Sequence, residues 1–336
     1  MEDGEKMKKI CFVLCLCILL SGCGKYTSGD AQKDLEKKIE DVQSYKLTGE
    51  MEIVNNDDVY KYDVDVSYAK TDKFRVSLKN QTNDHEQIIL KNADGVYVLT
   101  PALNKSFKFQ SDWPYNNSQI YLLQSILSDL NNDEKRTFKN EDKSYVFTSS
   151  VNYPNNRNLV KQKVTFNDKL ELNEVIVLDS DDVPNMTLKV KDIDFSPSFK
   201  KNYFDLEEIM STINIEEETI TTSAIDEAIY PLALPEGTKL ANEEKVDMTD
   251  GERVILTFSG DKPFLLVEET VRVMDEFTVI PTMGEPVMFM DSLGVLSDNS
   301  VSFTSGGINY YLVSDVMNQD ELLEVANSIN VLPTMK

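Results

Sequence analysis

The side chains best placed to do chemistry are cysteines, and one of them closes the tetrad Leu20-Ser21-Gly22-Cys23. Ser21 and Gly22 are small, which lets a peptidase reach the bond before Cys23. Lys8 and Lys9 introduce the apolar run Ile10 to Leu20, 11 residues long, whereas crossing a bilayer takes roughly 20. A basic start, a short apolar segment and small residues at a cut site are the marks of a secretory signal. The alternative, a short buried helix with an incidental cysteine, has nothing upstream to pack against. Cleavage between Gly22 and Cys23 discards Cys11, Cys15 and Cys17. The folded body then holds no second thiol, which excludes disulfides, Cys nucleophiles and thiolate metal sites together.

The remaining chemistry is sparse. A Ser-His-Asp triad or a histidine metal site would have to use His85, the chain's one histidine, which lies in the polar turn Asn80 to Glu86. Asp179-Ser180-Asp181-Asp182 has the look of a calcium loop, but Val183 holds the fifth position and no glycine follows. An incomplete ligand set of this kind reads as a solvated hairpin tip. Ser305-Gly306-Gly307 is a turn between two strands, and no glycine-rich phosphate loop follows any strand. With 58 acidic residues, two carboxylates close in sequence carry no signal for acid–base catalysis. The sequence therefore predicts a protein that is not an enzyme, with no cofactor and no metal.

Leu20-Ser21-Gly22-Cys23 resembles the lipobox of bacterial lipoproteins. The resemblance implies that a diacylglyceryl group alkylates the Cys23 thiol, that Cys23 becomes the first mature residue, and that two acyl chains hold the protein on a membrane. The formal net charge is −24, and residues 1–22 carry as many acids as bases, so the mature part keeps all of it. So acidic a body is repelled by nucleic acid and by anionic headgroups. Met7 is an alternative start, because the acidic stretch before it is atypical of a signal.

The elements that would stand behind this anchor are mostly strands. Gly24 to Gly29 is a small, polar tether. Leu35, Ile39 and Val42 recur at helical spacing between Asp30 and Ser44, with Asp30 as cap. Period-two alternation then runs through Tyr45–Ile53, through Tyr60, Tyr62, Val64, Val66 and Tyr68, and through Phe74, Val76 and Leu78. That period puts one face against an apolar interior and the other in water. Val96–Leu99 and Phe107–Phe109 follow, and a helix with a broad apolar face interrupts at Asn117–Leu130, carrying Leu123 and Leu127. Strands resume at Lys135–Phe138, Tyr145–Thr148, Val160–Phe166, Glu174–Leu178 and Met186–Phe195; with the strand that the Asn92–Gly95 hairpin turn implies before Val96, the total is 11. Short antiparallel strands at close spacing curl upon themselves, which leaves the helices the concave side.

An N-terminal helix, 11 antiparallel strands and an inserted helix resemble the LolA-like fold of lipoprotein carriers, a half-open barrel with a helical lid. The run from Ile89 through Asn92-Ala93-Asp94-Gly95, Val98 and Phe107 to Trp113-Pro114 resembles the YdcC/GerS type of sporulation lipoproteins from endospore-forming Firmicutes. The expected fold is thus mainly β with α, and the expected organisation is a lipoprotein signal (1–22), a lipidated tether (23–30), a half-barrel (31–212), a linker (213–229) and a small α+β domain (230–336). In that last part, strands are expected at Arg253–Phe258, Phe264–Glu268, Val287–Met290, Val301–Thr304 and Ile308–Val313, with a helix over Asp320–Ile329.

The resemblance implies a noncatalytic lipoprotein at the outer face of the cytoplasmic membrane, of the forespore or the mother cell, that binds an envelope or spore-cortex protein in sporulation and germination. A lid that lifts would instead make the half-barrel a carrier or acceptor of acyl chains. Its cavity would then be lined by Tyr60, Tyr62, Val64, Val66, Phe74, Val76, Leu78, Val98, Phe107, Leu123 and Leu127. If the lid stays shut, the same side chains are core.

Overall fold

The computed structural model describes residues 27–55, 58–141, 144–154, 156–212, 225–249, 251–289 and 292–329. The signal, Gly22, Cys23 and most of the expected linker lie outside these residues.

The first helix, α1 (Ser28–Asp41), buries Ala31, Leu35 and Ile39. Its cap is Thr27 rather than the expected Asp30. The Thr27 Oγ1 accepts from the Asp30 N–H at 3.3 Å, and the Thr27 N–H donates to Asp30 Oδ2 at 2.9 Å, so Asp30 answers the cap from three residues on.

Eleven strands follow before residue 195, as the alternation predicts: β1 (Ser44–Asn55), β2 (Asp58–Ala69), β3 (Lys73–Asn80), β4 (Glu86–Asn92), β5 (Gly95–Thr100), β6 (Lys105–Phe109), β7 (Thr137–Glu141), β8 (Ser144–Ser150), β9 (Leu159–Asn167), β10 (Leu172–Asp179) and β11 (Pro184–Asp194). They pair antiparallel in the order β6-β5-β4-β3-β2-β1-β11-β10-β9-β8-β7, so the first and last strands of the run are neighbours. The sheet does not close on itself, which matches the half-open barrel expected. The inward members of each alternation, such as Tyr62, Val64 and Val66 on β2 and Phe74, Val76 and Leu78 on β3, form one core with α1 and with α2 (Leu123–Asn132). Strands β4 and β5 are buried on both faces, because Ile88, Leu90, Tyr97 and Leu99 meet Phe204, Ile209 and Met210 on the opposite side. Those last two belong to α3 (Leu206–Thr212).

The inserted helix is shorter than expected, beginning at Leu123 and not at Asn117. Its would-be first turn is drawn sideways: the Ser118 N–H donates to the Asn152 carbonyl at 2.8 Å and the Gln119 N–H to Ser125 Oγ at 2.7 Å. Ile120, Tyr121 and Leu122 are nevertheless buried. The seventh strand likewise begins at Thr137 rather than Lys135.

Among the described residues the second part holds eight strands where five were expected: β12 (Thr238–Met248), β13 (Gly251–Gly260), β14 (Phe264–Thr270), β15 (Thr278–Thr282), β16 (Glu285–Phe289), β17 (Ser292–Leu296), β18 (Ser300–Ser305) and β19 (Ile308–Val313), before α4 (Gln319–Asn327). Seven of them form a sheet in the order β12-β13-β14-β19-β18-β17-β16, with α4 on one face. Strand β15 instead leaves this sheet and pairs parallel with β6, extending the first sheet to 12 strands.

Side chains stitch the two sheets together around this crossing. Gln87 on β4 accepts from the Leu293 N–H at 2.5 Å and donates to the Leu293 carbonyl at 3.3 Å. Glu285 accepts from Asn116 Nδ2 at 2.7 Å and from the Ser111 hydroxyl. Replacing Gln87 by alanine leaves both Leu293 backbone groups without their partner, an expected loss of about 1–3 kcal/mol. Urea unfolding of Q87A checks this, and a midpoint equal to that of the parent would show that the contact adds nothing.

Candidate functional site

The apolar side chains that the sequence offers as cavity lining fill the interior instead of a void. Tyr62, Val64, Val66, Phe74, Val76, Leu78, Val98, Leu123 and Leu127 are buried members of the main core, and Tyr60 and Phe107 are half-buried against it. The concave side is closed further by the second sheet, whose Met288, Leu293 and Val295 pack into the same core.

A cavity of about 170 Å³ remains at the seam of the two sheets. None of the eleven expected lining residues borders it. Its walls come from β1 (Ile53), β4 (Ile89), the segment before α2 (Trp113, Ile120), the loop before β9 (Tyr153, Pro154), β16 (Met288, Phe289) and α4 (Leu323). Sequence reading could not find it, since it unites positions as far apart as Ile53 and Leu323. Trp113 stands at its floor and is buried.

The residues singled out for other chemistry are used structurally. The Asp179 carboxylate accepts from the Asp181 and Val183 N–H groups, both at 2.9 Å, and from Asn185 Nδ2 at 3.2 Å. These bonds, Val183's first, hold its pKa below the ordinary carboxylate value and close the β10–β11 hairpin. His85 sits in the β3–β4 turn, where its carbonyl accepts from the Asn80 N–H at 2.9 Å. Among the described residues no group of three His, Cys, Asp or Glu side chains converges on a metal-sized site. No helix among them is long and apolar enough to cross a membrane.

Two carboxyls stand out. Asp129, on the inner side of α2, accepts from Ser118 Oγ at 2.9 Å and from Gln162 Nε2 at 3.1 Å, and burial pushes it up to about 6. Glu268 on β14 is fully buried and receives the Ile229 N–H at 2.9 Å. Burial raises it to about 7, the Ile229 bond works against the rise, and the Glu243 charge adds to it. Neither borders the seam cavity, and each pins a neighbouring segment to its sheet.

The decisive likeness is one of sequence. The chain is 36% identical over 332 residues to sporulation protein YdcC of Bacillus subtilis (strain 168), covering 96% of this chain and 98% of that protein. The chain belongs to the YdcC family of sporulation proteins. No family model matches it. Among solved structures, the Pseudomonas aeruginosa MucA/MucB complex contains a chain that is 11% identical, with 90% of this chain and 98% of that one covered and a TM-score of 0.33. The Clostridioides difficile CwlD amidase in complex with the GerS lipoprotein contains one that is 20% identical, with 52% and 99% covered and a TM-score of 0.24. Both scores lie below 0.5, and membership of the YdcC family rests on the sequence relative alone.

Proposed function

We propose that this member of the YdcC family is a noncatalytic, lipid-anchored envelope protein that works by binding another protein during sporulation and germination. Its anchor is the diacylglyceryl group on Cys23, which places it on the outer face of the cytoplasmic membrane. Residues 31–212 and 230–336 act as two joined units behind the tether.

The observation that carries this reading is the filled half-barrel. Its concave side is occupied by its own aromatic and aliphatic side chains and capped by β16 and β17. The 170 Å³ left at the seam falls below the roughly 300–1,000 Å³ of sites that engulf a drug-sized ligand. Acyl cargo has no room, so recognition falls to surfaces and to the seam. Two terms set the membrane contact: a body of net charge −24 contributes repulsion, and two acyl chains supply the attraction.

Replacing Cys23 by alanine is expected to move essentially all of the protein from the membrane fraction of sporulating cells to the soluble fraction. Unchanged membrane retention of C23A would overturn the anchor. Residues 24–336, which include every described element, are expected to show the mass of the bare chain by native mass spectrometry. Stoichiometric copurified lipid would replace this reading with acyl-chain carriage.

A further inference from the structure

The seam cavity has a chemistry of its own. Its floor is apolar and deeply buried, with Trp113, Ile120, Tyr121 and Phe289 each 5% exposed or less. Among further apolar wall residues, its border also carries six uncharged polar side chains: Asn117, Ser118, Gln119, Asn156, Asn185 and Asn327. No Asp, Glu, Lys or Arg lines it among the described residues, although the chain carries 58 acids and 34 bases.

Part of that border is already engaged. Gln119 receives the Tyr121 hydroxyl at 2.8 Å and donates to Asn117 Oδ1, and Asn185 Nδ2 is held by Asp179 at 3.2 Å. The carboxamide nitrogens of Asn117 and Asn156 and the whole Asn327 carboxamide make no hydrogen bond among the described residues. Three amide groups therefore stand with donors or acceptors to offer, above an apolar floor.

This combination selects among ligands. Inorganic anions and phosphates meet no cation here and a strongly acidic body around them. Metal ions find no carboxylate. An acyl chain would use the floor but leave the rim amides without partners, and the volume is short. A peptide bond presents one N–H and one C=O, and a side-chain carboxamide offers both complements in one group. The aromatic floor accepts a large apolar side chain.

We propose that the seam cavity is a docking site for an uncharged, apolar peptide segment of a protein partner, with one large side chain on the Trp113 floor and its backbone amides on Asn117, Asn156 and Asn327. This rests on the protein-binding reading above and names the chemistry of what is bound. The walls belong to both sheets, Ile53 and Ile89 to the first and Met288 and Leu323 to the second, so an occupant also ties the two sheets together.

Trp113 is the chain's single tryptophan, so its fluorescence reports on this cavity directly. Residues 24–336 would be titrated with N-acetyl-Leu-Phe-amide, with N-acetyl-Glu-Glu-amide and decanoate as comparators. The expected result is a saturable change in Trp113 emission with the Leu-Phe probe at a Kd of about 1 mM, and none with the acidic probe. Asn327→Ala, at the rim and outside both cores, is expected to weaken the Leu-Phe response severalfold. Val287→Phe, which fills the cavity from β16, is expected to abolish it.

No response to the Leu-Phe probe up to about 10 mM, a response unaltered in both variants, or saturation by decanoate alone would each overturn the site. The first two outcomes, in a protein that purifies free of lipid, would leave the protein-partner reading standing and remove only this location for it.

Discussion

Replacing Trp113 by alanine is expected to destabilise the protein by about 3–5 kcal/mol, the range for removing a large buried aromatic. The indole is 1% exposed and meets Phe74 edge-on, with centroids 5.9 Å apart and planes at 81°. Such a pair adds roughly 0.5–1.5 kcal/mol beyond the buried area. Phe74 in turn packs on Tyr68 at 5.1 Å, and Tyr68 on Tyr45 at 5.3 Å, so the ring anchors one end of an aromatic row across β3, β2 and β1. The backbone is held as well, since the Trp113 carbonyl accepts from Lys91 Nζ at 2.8 Å. Because the indole borders a cavity, its removal merges new space with old instead of being filled by neighbours. Urea unfolding followed by far-UV circular dichroism measures the loss without needing the tryptophan signal. Trp113→Phe keeps the edge-on contact and is expected to lose less than half as much. A loss below about 1 kcal/mol in W113A would show that this floor is not packed as described.

Most of the first sheet was legible because its strands, β4 and β5 excepted, are solvated on one face. Val64, Val66, Phe74 and Val76 fall in buried phase, and Asp65 and Arg75 between them are not buried. Strand β12 escaped because it has no such phase: from Lys239 to Lys245 every residue is exposed, so its hydrophobicity carries no period. Strand β15 escaped for a different reason. Its five residues owe their conformation to β6, some 170 positions earlier, and Pro281 within it weakens any strand signal. The start of α2 was misplaced because burial of Ile120, Tyr121 and Leu122 mimics a helical face while Ser118 and Gln119 spend their N–H groups elsewhere.

The site was less legible than the fold, for one physical reason. Alternation tells which side chains point inward, but not whether inward means core or cavity. That depends on what else arrives. Here α1, α2 and the edge of the second sheet fill the concave side over Tyr62, Val64 and Leu123, and the space that survives lies where the two sheets fail to meet completely.

Glu268 supplies the second large expected effect, a stability that falls as pH rises through neutrality. Its neighbours in phase on β14, Phe264 and Leu266, are apolar core, and Tyr310 stands opposite on β19. The Glu268 side chain belongs to this buried face because it holds the strap that enters β12: both its oxygens receive the Ile229 N–H, at 2.9 and 3.2 Å. The charged group facing it is Glu243, itself hydrogen-bonded by the Tyr230 hydroxyl, and like charge adds to the cost of burial. The folded carboxyl therefore titrates at about 7, against 4.5 for the ordinary group. A raised carboxyl pKa means that the folded state binds the extra proton. The associated stability is fully present below pH 4.5 and is lost as pH rises through 7. A shift of this size corresponds to about 3 kcal/mol. Glu268→Gln keeps an oxygen for the Ile229 N–H and cannot ionise, so whatever fixed cost its amide brings does not vary with pH. Relative to E268Q, the parent protein is expected to lose about 3 kcal/mol between pH 4.5 and pH 8.5, read from urea midpoints at each pH. The general repulsion of an acidic chain affects both proteins nearly alike and largely cancels in the difference. Stability curves that run parallel for the two would mean that this carboxyl reaches solvent, and that the strap at Ile229 is held by something other than a buried proton-binding group.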